Sequence, residues 1–401
     1  MPPRTRAAAA EPGLATTWPS VLAWRLRRHH LADLDAAELV PLVRRLSGVH
    51  AQLGSAAEAG ICLRSGGTIG PERIRAALAE QRTLVKTWAV RGTLHLLPAE
   101  DLPLWTAALG TRTFRRPKSW YAYHKVSEAE IAAIEETVPE VLSGTPITRE
   151  RLAAEVARRT RNPRLQEQLL SGWGAVLKLI AARGQLAFGP PTGGGPGREG
   201  SQRTSTAVVT FIAPRAWVGD WVDVDPEEAV AEIVCRYLDA YGPADLDELI
   251  GWSALDRPVL RRAVAALGDE LVEVDTDGSR GWLTRRGAGE VAATGPSDVV
   301  RLLPGFDPYV VGALKQIAHL LPGPYRDRVS RTSGWISPVM VTGGMIVGTW
   351  TQDVRGGTLR ITVEPFEPLP RGVSAATEGE AQRWADLAGL PLALTWTQGL
   401  V

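Results

Sequence analysis

The segment at 47–58, SGVHAQLGSAAE, holds two polar side chains, His50 and Gln52, just ahead of an alanine-rich helical stretch. A neutral imidazole can accept a proton from water near neutral pH, and a carboxamide can orient that water by hydrogen bonds. The two side chains project the same way only in an extended backbone, because positions two apart diverge on a helix. Gly48 and Gly54 flank the pair and favour the extended form. The alternative is a helix cap and turn, in which both side chains bond to nearby backbone.

A second polar run, WAVRGTLHL at 88–96, lies where the hydrophobic periodicity changes from helical to alternating. Alternation along a strand places Arg91, Thr93 and His95 on one face. A lone histidine here is most often a structural residue, but three polar groups on one face favour contact with a nucleic acid or an active site. We therefore predict Arg91, Thr93 and His95 as DNA contacts.

Basic residues are clustered, although the net charge is only +1. Four runs are rich in arginine, at 24–30, 111–118, 158–164 and 257–262. Only five of the 45 basic residues are lysine, and arginine is the better residue for bidentate contacts to phosphate. Codon usage in a high-GC genome explains the same bias. Segregated charge allows a basic face on a neutral protein, and we predict that Arg115 and Arg116, in the second run, contact DNA.

Residues 189–206, GPPTGGGPGREGSQRTST, form a glycine-rich stretch between two predicted strands. The stretch lacks the Lys-Ser/Thr pair and the following helix of a phosphate-binding loop. Arg198, Gln202 and Arg203 at the tip of such a hairpin could read the width and the acceptors of a minor groove. These three residues are therefore candidate DNA contacts. The alternative is a surface loop without a binding role.

Several function classes are excluded by motifs that the chain lacks. It contains no P-loop, dinucleotide fingerprint, nucleophile elbow or zinc-ligand spacing. Its two cysteines, Cys62 and Cys235, lie far apart, which favours a reducing cytoplasm and no structural metal. No apolar run approaches the roughly 20 residues of a spanning helix, and the first residues lack the apolar core of a secretory signal. We expect a cytoplasmic, nucleoid-associated protein without metal, cofactor or membrane contact.

Helices followed by a pair of strands recur three times along the chain, which is the order of a winged helix-turn-helix. The expected fold class is α+β, with three tandem winged helices and a β-rich C-terminal domain. Alternating apolar residues predict a hairpin at 83–98 and a pair of strands around residues 270 to 286. In the last domain, TGGM between apolar runs predicts a hairpin, and EGEAQRWADLAG at 378–389 predicts a short helix. The expected boundaries are 1–17 for a disordered leader, 18–122, 123–222 and 223–297 for the winged helices, and 298–401 for the β-domain.

Blocks of the sequence resemble the signature blocks of a bacterial winged-helix family, the AlkZ-type and YcaQ-type DNA glycosylases. These blocks are RLRRHHL with LVRRLSGVHAQ, WAVRGTLHLLP, GQLAFGP, LLPGFDPYVVG and GWISPVMVTGGMIVGTW. They span nearly the whole chain in the order of the family, whose members unhook interstrand crosslinks and excise bulky alkylated bases. The resemblance implies three winged helices and a β-domain in a C-shaped body that embraces DNA. It also implies a catalytic Gln-apolar-Gln or Gln-apolar-Asp motif in the first winged helix.

His50-Ala51-Gln52 stands at that motif, with histidine in place of the first glutamine and no carboxylate at the second position. A histidine in first place is similar to the branch linked to self-resistance to trioxacarcin-type antibiotics, whose adducts sit on guanine N7. The resemblance implies that His50 accepts the proton of the attacking water and that Gln52 orients the water or the sugar. Because lysines are few and none is near the motif, we expect no Schiff-base step and a monofunctional glycosylase.

Two other functions stay open from the sequence. The first is a non-catalytic winged-helix DNA-binding protein or transcription regulator, which would need a dimerisation element, and no heptad run is visible. The second is a protein that sequesters a genotoxin, for which fourteen tryptophans offer stacking surface. The partner we expect is double-stranded DNA bearing alkylated guanine, bound by a monomer.

Overall fold

The computed structural model describes residues 13–114, 116–170, 174–192 and 208–397. The protein has a mixed α/β architecture, in which helices pack around three β-sheets. Within these ranges, every helix is too short or too polar to span a membrane.

A six-stranded sheet brings together strands from the first half of the chain. The elements of this half are β1 (Leu14–Thr16), α1 (Trp18–Arg28), α2 (Leu39–Arg45), β2 (Val49–His50), α3 (Gly54–Arg64), α4 (Pro71–Ala79), β3 (Leu84–Trp88), β4 (Leu94–Pro98), α5 (Leu102–Gly110), α6 (Lys118–His124), α7 (Glu128–Val141), β5 (Ile147–Thr148), α8 (Arg149–Thr160), α9 (Arg164–Leu170), α10 (Lys178–Ala182), β6 (Ala187–Phe188) and β7 (Thr210–Ile212). The strand order of the sheet is β2-β4-β3-β6-β7-β5. The hairpin predicted at 83–98 is confirmed, since β3 and β4 pair antiparallel. Pairing of Lys86 with Phe188 joins this hairpin to the antiparallel pair β6–β7.

A three-stranded sheet follows next along the chain. The elements of this region are α11 (Pro214–Val218), α12 (Pro226–Tyr241), α13 (Leu246–Ser253), α14 (Arg257–Leu267), β8 (Leu271–Thr276), β9 (Ser279–Thr284) and α15 (Arg285–Ala292). The strand order of the sheet is β1-β8-β9. The strands predicted around residues 270 to 286 are confirmed as an antiparallel hairpin of β8 and β9. Val21 and Trp24 of α1 pack onto this sheet against Val274 and Leu283.

The start of the chain differs from the expected disordered leader. Leu14–Thr16, expected inside a disordered leader, is a strand that pairs in parallel with Val274–Thr276. The physical reason is that the edge of β8 offers unpaired backbone groups, which a short extended segment satisfies whatever its own propensity. Residues 1–12 of the expected leader lie outside the described residues.

A five-stranded sheet with flanking helices forms the C-terminal region. The elements of this region are β10 (Val300–Leu303), α16 (Pro308–Val311), α17 (Ile317–Leu320), α18 (Arg326–Val329), β11 (Val339–Thr342), β12 (Met345–Arg355), β13 (Thr358–Pro365), α19 (Arg371–Ala388) and β14 (Leu392–Trp396). The strand order is β10-β11-β12-β13-β14. The TGGM hairpin is confirmed: Gly343 and Gly344 connect β11 to β12 with φ of 55° and 92°. Such angles favour glycine and suit a two-residue hairpin turn. The short helix predicted near the end of the chain is part of α19.

A fully buried ion pair joins α3 to the loop that follows β10. Arg64 donates two hydrogen bonds to Asp307, with Nη1–Oδ2 at 2.8 Å and Nη2–Oδ1 at 2.7 Å. Both side chains have 0% exposure. Gly60 on α3 permits the close approach, because a Cβ there would lie 3.3 Å from Asp307 Oδ2. This contact fixes the C-terminal region against the helix that begins directly after the His50 segment.

Removal of the Asp307 charge should destabilise the protein strongly. In Asp307→Asn the Arg64 guanidinium stays buried without a counter-charge, which typically costs about 3–5 kcal/mol. The measurement is the free energy of unfolding from urea denaturation followed by tryptophan fluorescence. The control is Glu72→Gln, which breaks an exposed ion pair with Arg75 and should cost less than about 1 kcal/mol. Equal effects of the two substitutions would show that the buried pair does not fix the two regions together.

Candidate active site

His50 ends the short edge strand β2, as the extended interpretation of the sequence requires. It pairs with His95 of β4, and the next residue, Ala51, donates its N–H to the Leu94 carbonyl at 2.7 Å. The backbone is therefore extended, not helical, at the first motif position, and that prediction is confirmed. His50 is only 6% exposed.

Two rings enclose the His50 imidazole. Phe306 stacks on it with a centroid distance of 5.1 Å and planes 5° apart. His95 meets it edge-on, with centroids 5.4 Å apart. Phe306 has a φ of 58°, which is unfavourable for an aromatic residue. Its neighbour Asp307 is held by Arg64, so the ion pair keeps Phe306 in this conformation.

The surroundings of His50 keep its imidazole uncharged. Burial, followed by the positive charges of Arg91 and Lys86, lowers its pKa to about 4. Its Nδ1 atom is buried and has no hydrogen-bond partner among the described residues. An unsatisfied buried nitrogen costs free energy. A neutral ring at physiological pH with a nitrogen free of protein partners can accept a proton or a hydrogen bond from an added group.

Gln52 lies two residues further on, in the non-helical segment before α3. Its side chain is exposed, in contrast to the buried His50. The motif thus combines a covered imidazole with a carboxamide that faces solvent. Such a pair can contact a large substrate through the exposed Gln52 while His50 stays away from bulk water.

Arg91, Thr93 and His95 do not form the single strand face that was expected. Arg91 lies in a 3₁₀ turn with φ of 56°, before β4 begins at Leu94. Thr93 donates its hydroxyl to the Val90 carbonyl at 3.1 Å, and Nδ1 of His95 lies 3.0 Å from the Thr93 carbonyl. The expectation was wrong because the chain reverses direction at 89–93, and strand alternation does not extend through a tight turn.

His95 is a structural neighbour of His50. It is 3% exposed, and burial and the charges of His50 and Arg91 lower its pKa well below the usual value. The contact with the Thr93 carbonyl requires that its Nδ1 carries the proton. His95 therefore orients the turn and shields His50.

The predicted arginine contacts have different surroundings. Arg116 forms an ion pair with Glu135 at 2.7 Å, and both side chains are mostly buried. Arg91 is half-buried, and its Nη1 lies 3.4 Å from the Trp252 carbonyl. The other predicted contacts lie outside the described residues: Arg115, Arg198, Gln202 and Arg203.

Sequence reasoning missed three residues that act on His50 or its cover: Phe306 stacks on the ring, Trp335 contacts Phe306, and the charge of Lys86 acts on the imidazole. Lys86 corrects the expectation that no lysine is near the motif, since its charge acts on His50. The register of β3 with β4, in which Thr87 opposes His95, could have revealed it. Trp335 is 44% exposed and meets Phe306 with centroids 5.2 Å apart. No local signal connects Phe306 or Trp335 to a motif more than 250 residues away.

Comparisons with known proteins agree on one family. Residues 43–387 match the family model described as AlkZ-like, DNA glycosylase AlkZ-like. The chain is 35% identical over 385 residues to an interstrand DNA cross-link repair glycosylase of Streptomyces sahachiroi, covering 94% of this chain and 98% of that protein. The solved structure of Streptomyces sahachiroi DNA glycosylase AlkZ matches with a TM-score of 0.82 and 33% identity, over 95% of this chain and all of that one.

The pKa of His50 should be far below that of an ordinary histidine. We expect its imidazole to stay neutral down to a pH of about 4, observable by NMR titration of the histidine side-chain resonances. Arg91→Gln should raise this pKa, because it removes a positive charge that disfavours the imidazolium. A titration near pH 6.5 in the wild-type protein, unmoved by Arg91→Gln, would contradict the assigned surroundings.

Proposed function

The chain belongs to the AlkZ-like family of DNA glycosylases, and from that premise we propose that it hydrolyses the N-glycosidic bond of bulky N7-alkylguanine adducts or crosslinks in double-stranded DNA. The observation that supports this reaction is the buried, uncharged His50 beside the exposed Gln52. Antibiotic self-resistance and base-excision repair are the processes that such a reaction would serve.

The proposed reaction needs no acid. An N7-alkylguanine carries a positive charge, so the C1′–N9 bond breaks with its electron pair going to the base, which leaves as a neutral molecule. The sugar becomes an oxocarbenium-like cation. The oxygen of a water molecule then bonds to C1′, and one proton of that water passes to a nitrogen of His50. His50 returns this proton to solvent, and an abasic site remains.

The lowered pKa of His50 has one favourable and one unfavourable effect on this reaction. An imidazolium cannot accept a proton, and the lowered pKa keeps the ring neutral throughout the physiological range. The same shift makes His50 a weaker base, so proton transfer from water is less favourable. A weak base suffices where the leaving group is already charged and the sugar cation itself activates the water. Gln52, which can both donate and accept hydrogen bonds, would orient that water or the sugar.

A monofunctional reaction is also part of the proposal. A β-lyase step requires an amine that attacks C1′. Lys86 lies near His50, but it is the strand neighbour of Thr87, which opposes His95. Successive residues of a strand point to opposite faces of the sheet. His50 lies opposite His95, and directly opposed residues point to the same face of a sheet. The Lys86 side chain therefore projects from the face opposite to that of His50.

At the level of architecture we propose three tandem winged helices, at 18–122, 123–222 and 223–297, and a β-domain at 298–401, arranged as a C-shaped body around DNA. Helices that precede the antiparallel pairs β3–β4, β6–β7 and β8–β9 support this division. We further propose that the protein acts as a monomer in the cytoplasm, in association with the nucleoid.

The test uses purified protein and duplex DNA with one N7-alkylguanine, either a methyl or a bulky planar adduct. Abasic sites are scored by alkaline cleavage. We expect wild-type protein to release the base, and His50→Ala and Gln52→Ala to lose at least about tenfold in rate, since positioned proton transfer typically contributes about 10²–10⁴-fold. Both variants should still bind the duplex.

A control variant makes this test specific. His30→Ala removes a histidine whose ring bonds to Asp35, and it should leave base release unchanged. Intact DNA binding without base release by the wild-type protein would favour the non-catalytic DNA-binding function instead.

Trp335→Ala should slow release of the bulky planar adduct alone in the same cleavage assay, because the exposed indole beside Phe306 offers a stacking surface.

A further inference from the structure

A basic cavity of about 250 Å³ opens beside the turn that contains Arg91. Its walls come from this turn, the end of α5, the linker to α6, and α10. The charged residues that line it are all basic: Arg91, Arg112, Arg116 and Lys178. Aromatic rings, including those of Phe114 and Trp120, complete the walls.

The cations of this cavity are incompletely compensated. Burial and then the positive charge of Arg112 lower the pKa of Lys178. Burial also lowers the pKa of Arg112, although Asp256 acts in the opposite direction. Arg116 differs, because Glu135 forms an ion pair with it at 2.7 Å. Like charges held half-buried beside each other cost free energy, and an anion placed between them would remove that cost.

The geometry connects the cavity to His50. A Cβ at Gly92 would lie 3.4 Å from Cδ and 3.8 Å from Nζ of Lys178, so the ammonium group rests against the turn. Gly92 has φ of 64° and follows Arg91 directly. Arg91 lines the cavity, and its charge also acts on His50. A negative charge in the cavity would therefore counteract the effect of the Arg91 charge on His50.

We propose that this cavity binds one phosphate group, supplied by the DNA backbone beside the reacting nucleotide, through Arg91, Arg112 and Lys178. The inference rests on the function proposed above. Guanidinium and ammonium groups form charge-assisted hydrogen bonds to phosphate oxygens. The aromatic walls lower the local dielectric constant, which strengthens these bonds. The bound phosphate would offset the charge of Arg91, while burial, the larger cause, keeps the pKa of His50 low.

The test measures how the affinity for undamaged duplex DNA depends on salt. Each phosphate contact lowers the slope of log K against log salt concentration by about 0.9 in B-DNA. We expect Lys178→Gln to reduce the magnitude of the slope by about that amount. Arg371→Gln removes the same charge from an exposed position at the start of α19, outside the cavity, and should leave the slope unchanged.

Inorganic phosphate, which has the same chemistry, provides a second arm. Titrated at constant ionic strength, it should raise the Tm of the wild-type protein saturably and leave that of Lys178→Gln unchanged. An unchanged DNA slope together with this saturable effect would overturn DNA as the source and leave free phosphate. An unchanged slope without any such effect would overturn the site itself.

Two features keep these outcomes interpretable. Lys178→Gln relieves repulsion with Arg112, so its Tm without phosphate should be no lower than that of the wild type, which also verifies folding. Undamaged DNA and inorganic phosphate contain no damaged base to release. A failure of the phosphate site is therefore distinct from a failure of the proposed glycosylase reaction.

Discussion

The bidentate contact between Arg64 and Asp307 is the interaction on which the candidate site depends. Both side chains are removed from water, so each charge is stable only while the other is in place. Arg64 ends α3, which begins just after Gln52, and Asp307 follows Phe306 directly. One ion pair therefore positions both the helix behind the motif and the ring that covers His50. A pair of this kind gives little net stability but penalises every other docking of the two regions.

The covered imidazole is the consequence of that docking. Phe306 covers one face of His50, the ring of His95 packs nearly perpendicular to it, and nearby cations disfavour the protonated form. The ring stays neutral at physiological pH and becomes a weaker base, which restricts the reaction to substrates whose leaving group is already activated. The exposed Gln52 and Trp335 leave the same region open to a large partner such as duplex DNA. The fold, the nearby charges and the proposed substrate are thus all consistent with a buried, neutral His50 next to an exposed Gln52.

Local sequence was sufficient for features that adjacent residues determine. The extended backbone at His50 and the hairpins at 83–98 and 339–355 follow from periodicity and from turn residues, and all are present in the structure. Contacts between distant residues could not be predicted in this way. The partners of His50 come from a strand register and from a loop some 250 residues away, and Leu14–Thr16 becomes a strand only because β8 presents an edge. Alternation misplaced Arg91 because it has no meaning inside a tight turn.

If His50 acts as a neutral, buried proton acceptor, the rate of the wild-type reaction should hardly depend on pH between 5 and 8. The measurement is the single-turnover rate of base release from an N7-alkylguanine duplex at pH 8 and pH 5, corrected for spontaneous loss of the base. With a pKa of about 4 for His50, the neutral fraction changes by only roughly a tenth between these values, so we expect nearly equal rates. An ordinary histidine with a pKa near 6.5 would lose about thirtyfold in neutral fraction, and a fall in rate of that size would show that His50 is not held neutral by burial.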